Sequence, residues 1–146
     1  MSLKEAQEKI VQNMERWKKI EDASVASTGK IIEKTENPIV RLVMEIIQRD
    51  SQMHHRVQEL IADSLTTKTL TLTPEELGDV WEMIEQHVKL ENATTKLAKE
   101  SLEAIGKVKG MAVQAYLLSY LLKDEEKHEA ILSDLAKIKS GMYPYG

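Results

Sequence analysis

Apolar residues recur along most of this chain at steps of three, four and seven, the spacing of one helix face, and strand-like alternation is confined to one short Thr-rich stretch. Ile10, Trp17, Ser24, Thr28 and Ile31 make a first stripe, and Leu42, Ile46, Met53, Val57 and Ile61 a second. Ile84, Val88, Thr95 and Leu97 make a third, and Leu118, Leu121, Leu132 and Leu135 a fourth. Local signals bound these stripes. Ser2 and Glu5 have capping-box spacing and predict a first helix over about 3–34, while Asn37 before Pro38 opens a second over about 38–64. Thr73, Pro74 and Glu76 form another capping box for a third helix over about 74–105, closed by Gly106. The fourth follows Gly110, over about 110–139, and stops at Ser140 and Gly141. Tyr143 and Tyr145 in the short tail are expected to cover the end of the bundle.

The first and second helices are joined by a few residues, as are the third and fourth, so each pair is predicted to be an antiparallel hairpin. The stretch from Leu65 to Thr73 reads as extended and can reach about 30 Å, most of a helix length, so it can return along the bundle as a crossover. The fold class expected is all-α: one domain over 1–146, a four-helix bundle of two hairpins joined by a long crossover. With six Gly, three Pro and no Phe beside abundant Ala, Leu, Glu and Lys, composition agrees with helices rather than sheet.

Zero cysteines exclude disulfides, thiolate zinc, iron–sulfur clusters and cysteine nucleophiles, so any metal must sit on His, Asp or Glu. Twenty Lys and Arg are interspersed with 24 Asp and Glu for a net charge of −4, without a basic block, which argues against nucleic acid or an anionic membrane as partner. No stretch is long and apolar enough to span a bilayer, and the start has no apolar signal core; a soluble, cytoplasmic protein is expected.

Ionisable groups fall on every one of the four stripes: Glu21 on the first, Asp50 and His54 on the second, Glu91 on the third, Glu125 and His128 on the fourth. Burying unpaired charges costs several kcal/mol each, so groups buried together must compensate one another or share a cation. Depth agrees with face. Glu21 lies 15 residues before Glu36, His54 18 after it, Glu91 16 before Lys107 and His128 21 after it. At ~1.5 Å per residue all four lie roughly 22–32 Å from their turns, at one level of a bundle. The halves also repeat: Lys19, Glu21 and Ala23 echo Lys89, Glu91 and Ala93, and Asp50 with His54 echoes Asp124 with His128.

A Glu on one helix followed by Glu-x-x-His on the next, then the same again, is the ligand pattern of the ferritin-like di-iron carboxylate proteins. Glu21, Glu91, Glu125 and His128 match it in place, and the chain resembles most the ferritin-like domain of rubrerythrins over nearly its whole length. The resemblance implies two iron ions, with manganese or zinc as alternatives, held by Glu21, His54, Glu91, Glu125 and His128. It further implies redox chemistry with dioxygen or peroxide, as a rubrerythrin-like peroxidase or a ferroxidase. Two departures stand out. Ser51 occupies the position of the bridging Glu, leaving Asp50 as the nearest stand-in, and there is no rubredoxin-like Cys-x-x-Cys segment, so an external electron donor protein would supply the reductant. His87, four residues before Glu91, reads as an auxiliary ligand, a hydrogen-bond donor to one, or a surface residue. His55 reads as a solvated partner of Glu59, and Trp17, Trp81 and Tyr120 as core packing. Val25, Ile32, Val43 and Ile47 lie off the core stripes and suggest a homodimer through the first two helices. The alternative of another class is a non-catalytic helical bundle that dimerises or binds a partner, its inward polar groups bonded to one another without metal.

Overall fold

The computed structural model describes residues 1–141; Tyr143 and Tyr145 lie outside the described residues. Four helices follow in order, α1 (Leu3–Lys34), α2 (Pro38–Thr66), α3 (Pro74–Ile105) and α4 (Ala112–Lys139), with no strand among the described residues. Their starts are where capping chemistry places them. Ser2 and Glu5 bond reciprocally at the head of α1, Thr73 and Glu76 at the head of α3, and the Asn37 side chain accepts from the Ile39 and Val40 amides. Two edges differ from the sequence reading. Leu65 and Thr66 continue α2, whose last turn closes through the Thr67 amide on the Asp63 carbonyl, so only Lys68 to Thr73 lack regular structure. At the other edge, Gly110 has φ 85°, which delays α4 to Ala112.

The chain groups into two compact units, Met1–Leu70 and a second beginning at Thr71. Each is a helical hairpin. In the first, Ser24 meets Ser51, Asp22 meets His55 and Glu21 meets Gln58, so numbers rise on α1 as they fall on α2 and the pair is antiparallel. In the second, Glu91 meets His128 and Thr94 meets Glu125, the same sense for α3 and α4.

The seam of the first hairpin does not run along the apolar stripes. Its buried residues are Met14, Glu21 and Thr28 on α1 and Ser51, Gln58 and Ala62 on α2, a mostly small or polar set. Ile10, Trp17, Ile31, Leu42, Met53, Val57 and Ile61, placed in the core by periodicity, are exposed. The reason is geometric. Two helices alone touch along one narrow line, and small side chains such as Ser24, Ser51 and Ala62 permit the close approach there, leaving bulky neighbours on the flanks. In the second hairpin Leu77, Thr95 and Ala98 are buried, while Met83, Leu90, Leu97, Leu121 and Ile131 are exposed. Among the described residues no helix is long and apolar enough to cross a membrane.

Candidate metal centre

Three ligand-type side chains converge midway along the α3–α4 hairpin. Glu91, Glu125 and His128 each offer one donor atom, and the three atoms lie within 4.8 Å of one another. His128 Nδ1 is 3.3 Å from Glu91 Oε2 and 3.8 Å from Glu125 Oε2. Two ligands each ~2.1 Å from a common ion stand about 3.0 Å apart at a right angle and about 3.4 Å apart at the tetrahedral angle, so the 3.3 Å separation has that spread and the 3.8 Å one is wider. Glu125 and His128 share a face of α4 because they are three residues apart, and α3 brings Glu91 across the seam.

Supporting contacts hold each donor. The other imidazole nitrogen of His128, Nε2, is 3.4 Å from Asp124 Oδ2, one turn back on α4, an arrangement that orients a ligating histidine. His87 Nε2 is 2.8 Å from Glu91 Oε1, while the His87 side chain itself is largely exposed. Thr94 Oγ1 donates to Glu125 Oε2 at 2.8 Å, and Thr95 Oγ1 to Glu129 Oε1 at 2.8 Å. The two carboxyls of the cluster share a hydrogen bond. It holds Glu91 below the usual carboxylate range, against the opposing effect of burial and with help from His87 and His128, and it pushes Glu125 up. A cleft of about 260 Å³ bordered by His87, Glu91, His128, Ile131 and Leu132 opens onto the cluster.

The first hairpin gathers a smaller group around Glu21, which is 7% exposed. Glu21 Oε1 accepts from Trp17 Nε1 at 3.1 Å and from Gln58 Nε2 at 3.5 Å, and lies 3.4 Å from His54 Nδ1. Ser51 is buried and bonded to Ser24, while Asp50 is exposed. Two readings need correction here. His55 does not serve as a solvated partner of Glu59; its Nδ1 is 2.8 Å from Asp22 Oδ1, because adjacent histidines on α2 straddle the seam and each reaches a different α1 carboxylate. Trp17 is not core packing: it lies exposed on the flank and its indole N–H serves Glu21, as that of Trp81 serves Glu85 at 3.0 Å.

The repeat extends to hydrogen bonds. Glu21 and Glu91 each meet a ring nitrogen four residues back, from Trp17 and His87, and an imidazole Nδ1 across the seam, from His54 and His128. Three residues on, Ser24 bonds to Ser51 and Thr94 to Glu125. Sequence reasoning missed Asp124, Thr94 and Gln58. Asp124 was recoverable from its i, i+4 spacing to His128 and Thr94 from the repeat, whereas Gln58 carried no signal. Comparison of the chain with known protein families, with curated proteins and with solved structures finds no match.

Proposed function

We propose that this is a ferritin-like metal-binding protein whose hairpins pack through a crossover into one bundle, each contributing half of a di-iron or degenerate di-metal site. The observation that carries the reading is the convergence of Glu91, Glu125 and His128, repeated in reduced form by Glu21 and His54. The donor set fits the group: carboxylate oxygens and imidazoles suit iron, manganese or zinc, and no sulfur donor is present.

In this reading Glu91 and Glu125 neutralise cationic charge, His128 is held by Asp124, and His87 fixes the second oxygen of Glu91. Bound iron would supply electron exchange with dioxygen or peroxide, as in a rubrerythrin-like peroxidase or a ferroxidase. The cleft beside Glu91 is wide enough to admit such small molecules. An external protein would donate electrons, and a cytoplasmic homodimer is the setting proposed. Metal content and visible absorbance of protein purified from iron-replete medium test the reading. About two ions per chain support it; metal-free protein that stays folded favours the second reading, a partner-binding bundle in which the same carboxylates are satisfied by their N–H and O–H partners.

A further inference from the structure

Gln58 is the most buried residue described, 3% exposed, at the seam of α1 and α2. Its Nε2 donates to Glu21 Oε1, but its Oε1 is the one buried side-chain polar atom among the described residues with no hydrogen-bond partner. Leaving an amide oxygen buried and unpaired is unfavourable, and an apolar side chain of similar volume would fill the seam without that penalty. The amide is therefore suited to something other than packing. It sits seven residues after Ser51, two turns along the same face, and four after His54.

We propose that the α1–α2 hairpin carries its own divalent-cation position, in which Gln58 Oε1 is a neutral oxygen ligand beside Glu21 and His54 Nδ1. This rests on the metal-binding reading above and adds a ligand to it. Amide oxygens are ordinary ligands for oxygen-seeking cations, and a half-turn of the carboxamide about its last torsion exchanges the Nε2 contact with Glu21 for an Oε1 contact with an ion held there. Gln58 would thus give this position a second oxygen ligand, which Ser51, bonded to Ser24, does not offer. With one carboxylate instead of the two in the α3–α4 cluster, this position binds more weakly. Its charge, −1 before the ion arrives, also makes it the position whose affinity responds most to an added carboxylate.

Cobalt(II) titration of the full chain, followed by visible absorbance and calorimetry, tests this in wild type, Gln58→Leu, Gln58→Glu and His128→Ala. Helix content from circular dichroism confirms that each variant is folded, and Gln58→Met replaces Gln58→Leu if the latter is not. Two binding steps are expected, the weaker one reduced about tenfold or more by Gln58→Leu and strengthened about tenfold by Gln58→Glu, with the tighter step removed by His128→Ala alone. A weaker step that ignores both Gln58 variants overturns the proposal and leaves the amide oxygen to a buried water. A single step lost in His128→Ala and unmoved by Gln58 variants also overturns it, while the metal-binding reading stands. Wild type that binds no cobalt overturns both.

Discussion

Ser24 and Ser51 share a 2.8 Å hydrogen bond between their hydroxyls, at the repeat position where Thr94 holds Glu125. The first hairpin thus has a hydroxyl donor like that of the second, and a serine where the second has a carboxylate. Ser51→Glu supplies one, beside Glu21 and in a place that is 5% exposed. Without metal the substitution should destabilise the protein by roughly 2 kcal/mol, because a second carboxylate is confined next to the first. Manganese or iron(II) should return that stability and raise occupancy. Thermal melts with and without metal check this, and a variant that melts like wild type in both conditions refutes the account of Ser51.

Glu91→Ala and His128→Ala should each lower bound metal to well under half of wild type, measured per chain after equilibrium dialysis. Asp124→Asn keeps the size of its side chain and removes the charge facing His128 Nε2, and should weaken affinity about ten- to a hundredfold without abolishing it. Equal loss in Asp124→Asn and His128→Ala would instead make Asp124 a ligand.

Metal affinity should fall as pH falls. Among the carboxylates Glu125 takes up a proton first, since its shared hydrogen bond with Glu91 raises its affinity for a proton above the usual carboxylate level. A carboxylate ligand must be ionised and an imidazole ligand neutral, so protons compete for Glu125 as pH drops through that raised value, and they compete later for Glu91, whose value is lowered. Binding titrations across the acidic range should show affinity beginning to decline above the ordinary carboxylate midpoint. In Glu125→Gln the part of that decline just above the ordinary carboxylate midpoint should be reduced.

The helix boundaries were legible because capping is local: Ser2 with Glu5, Asn37 with Pro38, and Thr73 with Glu76 each specify a start within four residues of chain. The seam was not. Periodicity reports which residues avoid water, and it marked Met53 and Val57 for burial, but it cannot name the surface that covers them. In the hairpin the near neighbours of α1 are Ser51, Gln58 and Ala62, selected by size and hydrogen bonding, and such residues leave no trace in a hydrophobic pattern. The site was legible where spacing is tied to chemistry, as for Glu125 and His128. It was illegible where a contact crosses between helices from an unremarkable position, as for Gln58 and for His55 with Asp22.

Light scattering at low micromolar concentration should give twice the 16.6 kDa chain mass. Of the residues expected at that interface, Ile47 is exposed while Val25, Ile32 and Val43 are half-buried. Val43→Glu with Ile47→Glu should convert the dimer to a monomer. A monomeric wild type refutes the assembly and leaves the metal centre untouched.

The hydrogen-bonded seam of Ser24, Thr28, Ser51 and Gln58 also has a calorimetric consequence. Parting α1 from α2 wets polar groups along with hydrocarbon, and exposure of polar groups lowers rather than raises the heat capacity of a chain in water. The hairpin contact by itself therefore contributes little curvature to the stability of the protein with temperature. A larger heat-capacity increment on unfolding therefore requires that flanks such as Ile20, Met53 and Leu60, exposed on the hairpin, be covered in the folded protein. In the proposed bundle, resistance to cold and heat is then set less by how firmly each hairpin is zipped than by what would lie over its sides.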